Sequence, residues 1–401
     1  MTTPRIVGID IARALALLGM VVAHMLDPVL TDHGSPDPWY LLVSGRSSAL
    51  FAMLAGLSIA LTTQARPSAP VVPGPGTWRR PPLRPGARVS LAVRAGSIAF
   101  IGLLLGTVGA GVAVILTYYG VLFLCALPVL RWRATSLAVL AVGWALASPV
   151  VSIAVRPWLA EPTYQMPSPS FLLDPGQLIG ELVVTGYYPV LTWATYLFAG
   201  MAIGRLDLHA PGTAARLAMT GLGLAVASVT ASWVLTRSVA VQDSLLSSYD
   251  GVGDALTWAQ LQTELQLGFF GTTPTDSWWW LGVWAPHSAS IVDLAHTVGS
   301  GMAVLGVCLL VLSRIGAPGQ RRASIALGAG TMTLTLYAAH VLLLGAPDRL
   351  EWADRISVHL MLLIGVGAAF VAAHARGPLE LLVAEIASRA GATAASRHGD
   401  V

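Results

Sequence analysis

The stretch RIVGIDIARALALLGMVVAHMLDP, residues 5–28, sets Asp10, Arg13 and His24 into an otherwise apolar segment long enough to cross a bilayer. On an ideal helix each residue turns the chain by about 100° and lifts it by about 1.5 Å. Asp10 then lies within about 40° of His24, and Arg13 within about 20°, so all three share one stripe. Along the axis His24 stands roughly 16 Å above Arg13 and roughly 21 Å above Asp10. One helix face therefore carries polar chemistry through most of the depth of a membrane. Ionisable groups in such a place are costly and usually mark a functional site.

The rest of the chain has the composition such a helix needs around it. Of its 401 residues 55% are hydrophobic and 11% are charged, and the mean hydropathy is +0.69. Apolar runs recur throughout, which defines an all-α polytopic membrane protein rather than a soluble one. Windows of about 20 residues give ten expected spans, with cores at 7–28, 41–64, 89–107, 112–130, 135–154, 187–204, 214–236, 291–313, 324–345 and 354–374. Residues 1–376 form one transmembrane unit on this reading. Residues 377–401 hold a short cytoplasmic amphipathic helix at Leu379–Ile386 and a disordered tail.

Charge sets the expected orientation. All 23 basic residues are arginine, and most sit in short loops or at span ends, a distribution that orients a membrane protein and argues against nucleic-acid binding. The proline-rich connection from Gln64 to Arg88 holds five arginines. Arg131 and Arg133, Arg205 and Arg216, and Arg314, Arg321 and Arg322 mark further turns on the same side. The loop with Asp27, Asp32 and Asp37 has no arginine and faces outward. A plasma-membrane protein with both termini in the cytoplasm follows. Cys125 and Cys308 both lie inside apolar runs, so no disulfide framework is expected.

Two loops on the outer side are long. Residues 156–187 are rich in proline, and 237–290 carry Trp258, Phe269, Phe270, Trp278, Trp279, Trp280 and Trp284. Within the second, 255–267 fits an amphipathic helix on the membrane surface. The tryptophans read first as an interfacial belt, and alternatively as a lid that stacks on a sugar. Arg46, Asp293, His296, His340 and His359 all fall near the outer ends of their spans, with His287 just outside. Histidines thus gather by depth at one face, although each also has an ordinary role in helix packing. No histidine pair has i, i+4 spacing on one helix, so no metal site is expected. His33 sits in a polar loop, where solvent exposure is its default.

The run from Arg5 to His24 resembles the opening helix of transmembrane acyltransferases, both the heparan-α-glucosaminide N-acetyltransferase-like branch and the broader acyltransferase-3 type. The shared pattern is an aspartate, an arginine three residues later, and a histidine or asparagine after ten more, here Asp10, Arg13 and His24. The segment from Gly45 to Gly56 is similar to the second helix of the glucosaminide branch. The likeness implies transfer of an acyl group, usually acetyl, from cytosolic acyl-CoA to a hydroxyl or amine on an extracytoplasmic glycan or lipid-linked sugar. Acetyl-CoA is then the expected co-substrate, and membrane lipids, a carbohydrate or glycolipid acceptor and a homodimer mate are the expected partners. The catalytic candidates are His24 as base, Arg46 for the oxyanion or acceptor, and His33. His33 is the nearest match to a loop histidine of the animal enzymes, its offset from Asp10 differing by two residues. Asp10 and Arg13 are the donor-side candidates; Asp293, His296 and His340 are expected to support the acceptor. Ala14 stands where the family commonly has glycine. The rival from another class is a proton-coupled transporter of a small anion or sugar derivative, with Asp10, Arg13 and His24 as its relay.

Overall fold

The computed structural model describes residues 6–29, 36–65, 82–210, 212–249, 256–346, 352 and 355–399. Most of the proline-rich connection, His33, and the acids Asp348, Glu351 and Asp354 lie outside the described residues. The chain folds as α1 (Val7–Met25), α2 (Pro38–Val43), α3 (Arg46–Thr63), α4 (Ala87–Leu105), α5 (Leu116–Leu124) and α6 (Ala134–Val155). It continues through α7 (Pro175–Gly180), α8 (Val190–Ile203), α9 (Thr213–Leu235), α10 (Val239–Ser247), α11 (Trp258–Leu267) and α12 (Ile291–Arg314). Last come α13 (Ala317–Ala326), α14 (Thr333–Leu344), α15 (Ile356–Ala372) and α16 (Pro378–Gly399). The fold is a polytopic bundle of membrane helices. Among the described residues six segments are long and apolar enough to cross a bilayer, and four shorter apolar helices, 116–129, 190–203, 333–344 and 356–372, fall at the remaining expected spans.

The middle of the bundle is α1, α3, α8 and α12. About 61% of the apolar window is enclosed in both α1 and α3, against 28% in α4, α6 and α9, which therefore form the outer layer. Helix α1 packs on α3 and α12 and also meets α13, α14 and α15. The polar stripe is thus turned inward: Asp10 is buried, and Arg13 and His24 are partly covered. Close helix contacts are made at small residues, Gly56 and Gly200 between α3 and α8, and Gly221, Gly299 and Gly306 between α9 and α12. That is how apolar helices gain packing without a hydrophobic drive between them.

Several spans differ from a plain helix, each for a local reason. The second breaks at Ser44–Gly45, where Gly45 takes φ +70° and passes against Pro286 and His287. Only glycine enters that region without strain. The ninth, expected as one helix over 324–345, opens instead with a 3-10 turn, Gly328–Thr331, before α14. Gly330 lies so close to the Asp10 carbonyl that a Cβ would collide with it. Irregular backbone at this depth is tolerated because it is buried in protein. From across the molecule Glu380 supplies the missing cap of α14, accepting from the Leu334 amide at 2.7 Å and the Thr335 amide at 3.2 Å.

The carboxyl-terminal region departs most from expectation. The tail expected to be disordered continues as α16 to Gly399, with Val383 and Ala387 buried and Gly391 packed on Gly86 at the start of α4. The large aromatic loop is a folded cap as well. Val241, Leu245, Leu261, Leu265, Trp280, Val283 and Ala285 form a second small core. Trp280 is fully buried with its indole donating to Ser248 at 2.9 Å. The amphipathic helix α11 buries its apolar face in this cap core.

Candidate active site

His24 lines a chamber of about 730 Å³ at the end of α1 beneath the cap. Met20, Ala23 and Asp27 continue the α1 wall, and Ser44, Gly45, Ser47 and Ser48 supply the wall where α2 breaks into α3. Tyr164, Tyr187, Tyr188 and Phe270 close the side under the loops. The aromatic wall of the chamber is thus tyrosine and phenylalanine, not the tryptophans of the alternative lid reading; Trp278 and Trp279 are exposed. Trp280 fills the cap core, and Trp284 lies against Arg46, whose guanidinium carbon is 5.4 Å from the ring centre.

Behind His24 stand two further imidazoles. His24 Nδ1 is 3.0 Å from His340 Nε2, and His340 Nδ1 is 2.7 Å from His359 Nδ1. His340 and His359 are wholly buried. Each contact needs one N–H, so the row holds its hydrogens in a single direction. If His24 donates to His340, and His340 to His359, the Nε2 of His24 is left unprotonated. The three rings form a row, and among the described residues no group of three His, Cys, Asp or Glu side chains converges as metal ligands do.

A fourth imidazole faces the same chamber. His287, in the loop before α12, takes φ +56°, and its Nδ1 is buried with no hydrogen-bond partner. Its ring centre is 4.8 Å from that of Tyr187. Burial, with a smaller contribution from His24, pushes this histidine down from 6.5 to about 4. Tyr164 also takes a positive φ, +57°. Side chains other than glycine rarely accept that conformation, and it concentrates at working sites. The sequence placed His287 at the right depth but gave no reason to prefer it, because its strain and its neighbours are tertiary.

Arg46 was expected to serve the same chamber, and its side chain goes elsewhere. Its Nε donates to His296 Nε2 at 3.0 Å, and it also bonds the Leu41 carbonyl. His296 in turn donates from Nδ1 to the Ala225 carbonyl at 3.2 Å. Asp293 belongs to this second group, as the opposite charge near Arg46, and its Oδ2 accepts from the Ala289 amide at 3.2 Å. Arg46, Asp293 and His296 are thus a buried polar cluster beside the chamber, not lining residues of it. His33 lies outside the described residues.

At the other end of α1, Arg13 pairs with Asp10 at 3.0 Å and bonds Ser58 of α3. Arg13 lines a second, smaller cavity of about 180 Å³ together with Arg94, Ser58 and Glu380. Asp10 orients Arg13 and does not itself line the cavity. Tyr119 and Tyr337 line this space too, while their hydroxyls hold the backbone of the chamber wall. Tyr119 donates to the Ser48 carbonyl at 3.2 Å, and Tyr337 Oη accepts from the Ile115 amide at 3.2 Å. Two cavities thus approach each other from opposite ends of α1 across a pair of tyrosines.

A ridge of ionisable residues runs along one enclosed helix of this membrane bundle, with a cavity at each end. Residues 5–234 match the family model described as heparan-alpha-glucosaminide N-acetyltransferase, catalytic. The chain belongs to that family and carries its N-acetyltransferase-like catalytic domain. No individual curated protein matches the chain. The match takes in α1 to α9, including Asp10, Arg13, His24 and Arg46, and ends before the cap, His287, His296, His340 and His359.

Proposed function

We propose that the protein moves an acetyl group from acyl-CoA, held at the Arg13 cavity, to an amine or hydroxyl of a carbohydrate in the His24 chamber. The observation that supports it best is the pair of cavities joined by the ridge on α1. A thioester arm is thin and needs less room, which suits the smaller cavity, whereas a sugar needs the larger and more polar one. Arg13 and Arg94 suit the anionic end of the donor. On this reading the Arg13 side is cytoplasmic, with both termini, and the chamber opens outward, in keeping with the arginine distribution. The family's description names a glucosaminide, so an amino sugar is the first acceptor to try.

In the transfer, the acceptor's nitrogen or oxygen attacks the thioester carbonyl, its proton passes to Nε2 of His24, and the carbon–sulfur bond breaks to release CoA as thiolate. The row to His340 and His359 holds the ring in place, and donation running from His24 toward His359 leaves the His24 Nε2 free to take the proton. Charge on the tetrahedral oxygen needs donors. The first turn of α3 begins in the chamber wall at Ser47 and Ser48, and a helix start carries amides without intrahelical partners. That element replaces Arg46 in the oxyanion role.

Purified protein in detergent, given labelled acetyl-CoA and glucosamine, tests the reading. Label on the sugar with wild type and none with His24→Ala supports it. Uptake of a sugar into liposomes driven by a pH gradient, with no covalent label, would establish the transporter reading instead.

A further inference from the structure

Beyond Tyr164 and Phe270 the chamber adjoins a groove of about 480 Å³. These two rings meet edge to face, 5.0 Å apart, and line both spaces. The groove runs between 156–164 and the segment 268–276, and its walls carry hydroxyls from Thr272, Thr273 and Thr275. It is a polar trough with an aromatic sill, the combination that sugars use, with ring faces on carbon-bound hydrogens and side-chain oxygens on hydroxyls.

Carboxylates outnumber arginines along this path. Glu161 and Asp276 line the groove, both exposed, and Asp27 lines the chamber. The chain has no lysine. Among the described lining residues of the two spaces the one cation besides histidine is Arg156. Its guanidinium bonds the Thr273 carbonyl and lies 3.4 Å from the Thr273 hydroxyl, so it ties the groove's two walls together. Glycans bearing sulfate, phosphate or carboxylate are recognised by arginine and lysine forks. Carboxylates in their place repel such groups and attract ammonium.

We propose that chamber and groove form one cleft for an acceptor of at least two sugar units that lacks anionic substituents. The terminal unit lies at His24 and the next lies past the Tyr164–Phe270 sill, where amino groups on the chain are favoured. Which unit is acetylated rests on the transfer reading above; the binding preference does not.

Calorimetry on the full chain in detergent, without acyl donor, separates the two. The probes are glucosamine, its β-1,4-linked dimer and the N-sulfated dimer. The dimer is expected to bind about tenfold more tightly than the monomer, and the sulfated dimer about tenfold more weakly than the plain one. Thr272→Trp, which fills the groove, is expected to remove the advantage of the dimer over the monomer. Glu161→Arg combined with Asp276→Arg is expected to reduce or invert the discrimination against sulfate. Equal affinity for monomer and dimer, or tighter binding of the sulfated dimer by wild type, overturns the proposal. Sugar binding with these preferences but no acetylation defeats the transfer reading and leaves the cleft standing. Acetylation without length or charge preference does the reverse.

Discussion

At the scale of single residues the proposed transfer gives each histidine a different part. His24→Ala is expected to lower kcat by about 10²- to 10⁴-fold, the usual contribution of a positioned base, in a single-turnover assay on folded protein. His340→Ala keeps the base but loses its orientation. It is expected to lower kcat by less than His24→Ala while leaving KM nearly unchanged, and steady-state kinetics separate the two effects. His287 gives a pH signature. In the folded protein it stays neutral down to about 4, whereas an unfolded chain binds the proton near 6.5. Between those values the unfolded state holds more protons, so stability falls as pH drops from 6.5 to 4. His287→Asn, which tolerates the positive φ, is expected to flatten the fall in Tm between pH 7 and pH 5 in detergent. Asp10, Arg13 and His24 were legible in the sequence because helical periodicity alone puts them on one face. The meeting of His24 with His340 and His359 spans 316 and 19 residues of chain, and no local pattern encodes it. Arg46 meets the same limit: its depth is readable, but the direction of its side chain depends on His296 and Trp284.

At the scale of elements, span positions came from hydropathy, and span integrity did not. The half-length α14 follows from backbone contacts at Gly328 and Gly330, and from a cap that Glu380 supplies from α16. Glu380→Ala is expected to cost about 1 kcal/mol, as loss of a helix cap does, seen as a lower Tm with the fold retained. Gly330→Val places side-chain atoms against the α1 backbone at Asp10. It is expected to lower Tm further and to weaken donor binding, because Asp10 holds Arg13. The disordered tail was a misreading with a physical cause. The 387–399 stretch is rich in alanine and small polar residues and looks too weakly apolar to fold alone, but its small side chains are what let α16 lie close against α4.

For the whole molecule, the two cavities predict a sided reaction. In proteoliposomes with acceptor sealed inside and labelled acetyl-CoA outside, product is expected in the lumen of vesicles that carry the Arg13 face outward. Product made only when both substrates share one side would remove the transmembrane route. Membrane class and the positions of the apolar helices could be inferred from apolar length. The shape of the acceptor cleft could not, because it is made where two loops fold over one another.

The cap has a small core of its own, built around Trp280 and joined to the bundle chiefly through α9 and α12. Because that core is separate from the one around α1, a substitution inside it is expected to leave the ridge on α1 in place. On the proposed reading, such a change would alter which acceptor fits and leave the transfer machinery itself intact.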